Sequence, residues 1–138
     1  MRDLKGIEKE LEELKVYLSY DLNIIALYIF GSYGTEEQDE RSDIDFAVLY
    51  DRNVSLEEEL ELEVKISDIF QRDDIDVINL NKAPISLQHN VIYTGDLIYC
   101  SDEVKLADFK EKVFNIYGDY GITLKFFHDD YLKGLSDK

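Results

Sequence analysis

Two aspartates one residue apart, Asp43 and Asp45, open an apolar run that ends near Tyr50, and Gly31-Ser32 closes an earlier apolar run, Ile24 to Phe30. Ten residues separate the two pairs. On an extended strand the period of two turns both carboxylates to one face. Carboxylates that close repel, so both stay ionised at neutral pH when a positive charge lies between them, and a hard divalent cation bound through oxygens, magnesium above all, meets that need. Gly31-Ser32 at a strand end lets a phosphate come close, because glycine has no side chain, backbone N–H groups can face an anion and Ser32 adds a hydroxyl. Alone, Gly-Ser marks an ordinary turn and Asp-x-Asp a solvated strand edge. At fixed spacing between two strands they describe a place for metal-assisted chemistry on phosphates.

The elements that must position these residues follow from periodicity. Leu4, Ile7, Leu11, Leu14 and Leu18 predict an amphipathic helix from about Asp3 to Tyr20, ahead of the first strand. After the second strand, Ser55 and Glu58 have capping-box spacing, and a helix follows to about Phe70. Its positions Leu56, Leu60, Val64, Ile69 and Phe70 are expected in the core, with the acidic cluster Glu57 to Glu63 as a solvated face. Asp74 to Leu80 reads as a third strand with Asp74, Asp76, Ile78 and Leu80 on one face, which supplies a third carboxylate. Asp74 also suits a plain helix-to-strand turn, and alternation alone does not choose between it and Asp76. Pro84, the only proline, suits a loop leading into a short helical turn before Gly95. Asp96 to Cys100 is an expected edge strand. From about Asp102 to Leu132 a three-and-four rhythm of Leu106, Phe109, Val113, Tyr117, Tyr120, Leu124, Phe127 and Tyr131 predicts a long helix, with Gly118 and Gly121 as points where it can bend or break. His89 and His128 have no partner at ligand spacing and are read as structural.

The 138 residues, 45% of them hydrophobic, fit one domain, 1–138, with apolar side chains enough for one core. Fifteen basic against 31 acidic side chains give a formal charge of −16, which disfavours direct binding of nucleic acid. Glu36, Glu37, Asp39 and Glu40 crowd the connection before Asp43 beside the one basic residue Arg41, so a nucleoside triphosphate can enter only with cations. A single cysteine, Cys100, rules out an internal disulfide and a cysteine-based zinc cluster. With no signal-peptide pattern and no apolar run near the ~20 residues that span a bilayer, a cytoplasmic location is expected.

The arrangement Gly31-Ser32, ten residues, Asp43-Ile44-Asp45 resembles the signature of the DNA polymerase beta-like nucleotidyltransferase superfamily. With the segment Asp74 to Leu87, the chain looks more narrowly like the minimal nucleotidyltransferase (MntA-like) antitoxins that act on HEPN-domain toxins. The fold expected is α/β of the α+β type, a small mixed sheet of about four strands with helices packed on one face. The resemblance implies that Asp76 is the third acid and that Asp43, Asp45 and Asp76 are the catalytic, metal-binding set for two Mg2+ ions. It implies that Gly31 and Ser32 hold the phosphates of ATP; apart from the resemblance, Arg41 or Lys82 are candidates to neutralise phosphate charge. The reaction implied is transfer of AMP to a hydroxyl, a tyrosine of a partner HEPN ribonuclease toxin, which neutralises that toxin. Two other readings are a non-catalytic antitoxin acting by stoichiometric binding and a nucleotidyltransferase for a small molecule.

Overall fold

The computed structural model describes residues 2–36, 38 and 43–132, with side chains up to residue 118. The two apolar runs form the central strands β1 (Ile24–Phe30) and β2 (Ile44–Tyr50), which pair antiparallel from Ile24 opposite Tyr50 to Phe30 opposite Asp45. Strand β3 (Ile75–Asn79) lies parallel to β2 and strand β4 (Asp96–Cys100) antiparallel to β1, giving the order β3-β2-β1-β4. A parallel neighbour requires a crossover, and helix α2 (Leu56–Phe70) supplies it. Helix α1 (Glu8–Leu18) follows a 3-10 turn at Lys5–Ile7, α3 (Ile85–Thr94) joins β3 to β4, and α4 (Glu103–Leu132) follows β4. Four helices on a mixed four-stranded sheet are the α+β arrangement expected.

The helices cover both faces of the sheet, which corrects the expectation of helices on one face. Ile24, Leu27 and Ile29 of β1 and Ile44, Phe46 and Val48 of β2 enter one core with Leu11, Leu14 and Leu18 of α1 and Leu62, Ile66, Ile69 and Phe70 of α2. Ile25, Tyr28, Ala47 and Leu49 enter a second core with Val91 of α3 and Leu106 of α4. A strand covered on both faces reads as an unbroken apolar run, and IIALYIF is such a run.

Helix α2 begins at the expected capping box: the Glu58 N–H donates to Ser55 Oγ at 3.1 Å and the Ser55 N–H to Glu58 Oε1 at 3.1 Å. Its packing register differs from the expectation. Ile69 and Phe70 are buried as read, but the rest of the inner face is Leu62 and Ile66, while Leu56, Leu60 and Val64 are exposed. Two positions along a helix are about 200° apart around it, so stripes offset by two lie on opposite sides, and a rhythm of four fits both.

The expected helical turn before Gly95 is the full ten-residue α3, and α4 runs unbroken through Gly118 and Gly121. His89 of α3 stacks on Tyr117 of α4 at 3.9 Å and meets Phe114 edge-on at 5.3 Å. The side chains of Tyr120, Leu124, Phe127, His128 and Tyr131 lie outside those described.

Candidate active site

The head of the sheet, where β1 ends and β2 and β3 begin, collects the acidic residues. Parallel pairing sets Asp45 directly beside Asp76, in the same register that sets Ile44 beside Ile75. Ile44 and Phe46 point into the α1/α2 core, so Asp45 and Asp76 point to the other side. Asp43, one residue before β2, is exposed like Asp76, whereas Asp45 is half-buried. Among the described residues none of the three makes an ion pair. Burial first, then the charges of Asp76 and Asp43, push the Asp45 carboxyl above the usual carboxylate range, and Arg2 pulls it the other way.

Asp74 behaves differently although it shares the alternation. Its carboxylate takes both arms of Arg72, Nε to Oδ1 at 2.7 Å and Nη2 to Oδ2 at 2.5 Å, and this hydrogen bonding holds its pKa below the usual range. Its carbonyl accepts the Ile44 N–H at 3.1 Å, which fixes the start of the β2/β3 pairing. Asp74 is therefore the turn residue, and Asp76 is the one that stands with Asp45.

Gly31 leaves β1 at φ +83°, and a Cβ built on it would run into Asp45 Oδ2. The backbone conformation calls for glycine, and any side chain there would displace the Asp45 carboxylate. The next residues form a tight turn, with the Thr35 N–H and Oγ1 both donating to the Ser32 carbonyl, at 3.0 and 2.6 Å. The glycine-serine turn thus sits against the aspartate cluster, as the spacing predicts.

Arg2 went unread in the sequence. Its side chain is only 5% exposed, its Nη1 donates to the Gly31 carbonyl at 2.9 Å and the Tyr33 carbonyl at 2.6 Å, and its Nε pairs with Asp96 Oδ2 at 2.7 Å. The N-terminal segment is tied to the same turn by the Asp3 N–H, which donates to the Gly34 carbonyl at 2.7 Å. Among the described residues Arg72 is also nearby, its guanidinium 5.6 Å from the Tyr33 ring centre. No local pattern marks Arg2, since Arg2 and Asp96 are 94 residues apart.

Lys82 is not at this site, contrary to its candidacy for phosphate charge. It follows β3 at the opposite end of the sheet, where its Nζ pairs with Glu59 Oε2 at 2.9 Å. Arg41 lies outside the described residues. The acidic face of α2 is engaged locally: Glu58 pairs with Arg52 at 2.9 Å, and Glu63 Oε1 accepts the Val77 N–H at 3.2 Å. Among the described residues no helix is long and apolar enough to cross a membrane.

A sheet whose first two strands carry Gly-Ser and Asp-x-Asp at facing ends defines a class, and residues 12–104 match the family described as polymerase beta, nucleotidyltransferase. The chain belongs to this nucleotidyltransferase family. Two Methanocaldococcus jannaschii proteins provisionally named protein adenylyltransferases, MJ1217 and MJ0126, are 34% and 33% identical to it over 98 residues, 67% of this chain and 99% of each of theirs. Among solved structures, a toxin-antitoxin with AMP-PNP matches with a TM-score of 0.71 at 24% identity, over 91% of this chain and 98% of the other. A chain of the complex of tri-AMPylated Shewanella oneidensis HEPN toxin with MNT antitoxin matches with a TM-score of 0.66 at 24% identity, over 89% and 95%. At these identities the structural matches show a shared fold.

Proposed function

We propose that this chain is a protein adenylyltransferase that moves AMP from ATP to a tyrosine hydroxyl of a HEPN ribonuclease toxin and so neutralises it, with residues 1–138 acting as one cytoplasmic domain. The observation that carries the reading is the pairing of Asp45 with Asp76 beside Gly31, where three carboxylates without ion-pair partners among the described residues adjoin a glycine-serine turn. The provisional names of the two M. jannaschii relatives, and the AMP-PNP and AMPylated toxin of the structural matches, support AMP as the group moved and a HEPN toxin as acceptor.

Gly31, without a side chain, lets the Asp45 carboxylate lie against the turn, Ser32 offers the β- and γ-phosphates a hydroxyl, and Arg2 holds the turn through the Gly31 and Tyr33 carbonyls. Asp43 and Asp45 would hold magnesium, with Asp76 as the third carboxylate. Among the described residues no three acidic, histidine or cysteine side chains stand together as a metal-holding group, so the fit rests on fewer protein ligands: magnesium keeps several waters and is held by one or two carboxylates plus substrate phosphates. When bound, two Mg2+ ions would supply positive charge for the attacking and leaving oxygens, and without such charge a chain of net −16 repels ATP. The tyrosine oxygen attacks the α-phosphorus in line, the bond from that phosphorus to the oxygen bridging to the β-phosphorus breaks, and pyrophosphate leaves. Asp76, exposed, accepts the hydroxyl proton.

The test is to incubate this protein with its HEPN toxin, ATP and magnesium, remove this protein, and examine the toxin by mass spectrometry and RNA cleavage. Added AMP mass with lasting loss of cleavage is expected. Inhibition that needs no ATP and vanishes on separation, with no change of mass, would overturn the reading in favour of stoichiometric binding.

A further inference from the structure

The transfer reading leaves the outer face of α2 without a use. Leu56, Leu60 and Val64, 67%, 52% and 65% exposed, follow one another at i, i+4 and i+8, opposite the face that Leu62 and Ile66 bury. With Tyr17 of α1 they line a mostly apolar concavity of about 680 Å³, whose rim carries Glu57, Glu61 and Asp68. Lys65, also on the rim, sits with its Nζ 5.2 Å from the Tyr17 ring centre. Glu58 and Glu59 on the same helix pair with Arg52 and Lys82, but Glu57, Glu61 and Asp68 have no ion-pair partner among the described residues. A contiguous exposed apolar strip with an acidic rim is the surface pattern of a binding face.

We propose that this groove docks an amphipathic basic helix of a partner protein, with leucine-type side chains at i, i+4 spacing in the groove and lysines or arginines against Glu57, Glu61 and Asp68. The strip runs from Leu56 to Val64 of α2, about 12 Å or two helical turns, which suits the apolar edge of one short helix. Charge selects the occupant. A second copy of this chain would bring an equally acidic rim and another net −16 to the interface, whereas a basic helix is attracted over the Debye range and supplies the missing counter-charges. The groove lies on the α1/α2 side of the sheet, away from the side to which Asp45 and Asp76 point, so an occupant leaves those carboxylates uncovered. The inference stands on α2 and does not rest on the transfer reading.

The probe is a fluorescein-labelled synthetic helix with leucines at i, i+4 and i+8 and lysines on the flanking positions, titrated with the full chain and followed by anisotropy. Leu60→Asp is expected to weaken binding about tenfold with no loss of thermal stability, since Leu60 is exposed. The sign discriminates, because a purely electrostatic attraction would be strengthened by the added carboxylate. The double change Glu57→Gln and Glu61→Gln is expected to weaken binding several-fold and flatten its salt dependence. Val104→Asp, at an exposed position on α4, should leave binding unchanged. Equal binding by wild type and Leu60→Asp, or equal binding of a peptide whose leucines are serines, would overturn the proposal. A dimer in sedimentation that Leu60→Asp dissolves would overturn it too, by making the occupant a second copy.

Discussion

Asp43, Asp45 and Asp76 at the head of the sheet and Glu57 to Glu63 on α2 are both runs of acid, but the structure treats them in opposite ways. Around a helix, successive side chains diverge by about 100°, so Glu58, Glu59 and Glu63 reach three different partners: the Ser55 cap, Lys82 and the Val77 N–H. Parallel strands do the reverse. They hold paired side chains on one face, with backbones about 4.8 Å apart, and Asp45 and Asp76 are paired. Asp74 repeats the contrast at short range, being two residues from Asp76 and neutralised by Arg72. The number of carboxylates in a stretch therefore says little, and what decides is whether the backbone turns them apart, as on α2, or holds them side by side, as in β2 and β3.

Removing a member of the strand cluster should separate the two groups most sharply. Asp43→Ala or Asp45→Ala is expected to lower AMP transfer by about a thousandfold or more, with the fold intact by circular dichroism, because charge stabilisation of the reacting phosphate is lost. Relief of repulsion should leave stability unchanged or raised by up to ~1 kcal/mol. Glu59→Ala on α2, which loses only the pair with Lys82, should leave transfer rates as they are. Transfer at the wild-type rate in either aspartate variant would dissolve the distinction.

The pair Asp76→Asn and Asp74→Asn sharpens it within one strand. Asp76→Asn should cost about a hundredfold in rate and raise the magnesium concentration needed, whereas Asp74→Asn should change the rate by less than about threefold. Rates measured against magnesium for both variants decide, and the reverse ordering would show that the β2/β3 register has been misassigned.

Arg2 tests whether the turn facing the cluster must be held from behind. Arg2→Ala removes a buried guanidinium and strands two carbonyls, so a loss of roughly 1–3 kcal/mol in denaturant unfolding is expected, discounted because Asp96 is half exposed. Transfer, if the turn carries the phosphates, should show a raised KM for ATP at temperatures where the variant is still folded. An unchanged KM would reduce Arg2 to a structural tie.

The smallest effect concerns pH. The folded-state pKa of Asp74 is depressed by Arg72, so the pair contributes stability above the unfolded value of about 3.9 and loses it as pH falls through the lower folded value. Asp74→Asn should thus be slightly less stable than wild type at neutral pH, by less than ~1 kcal/mol for a partly exposed pair, with the two unfolding curves converging in acid. A gap that persists at pH 2 would mean the carboxylate acts through something other than charge.

Much of this was legible in the order of residues. Strand boundaries at Ile24, Phe30 and Tyr50, the Ser55 cap, the end of α2 at Phe70 and the approach of Gly31 to Asp45 all depend on patterns close in sequence, which a sequence carries directly. Tertiary structure alone decided three things. Which of two apolar stripes on α2 faces inward depends on how α1 and the sheet pack against it, because both stripes satisfy the helical period. Asp76 is distinguished from Asp74 by a parallel register and by Arg72, and alternation is blind to both. Arg2 reaches the site only because the chain folds back across 94 residues to Asp96, and an interaction that long in sequence leaves no local trace for periodicity or spacing to reveal.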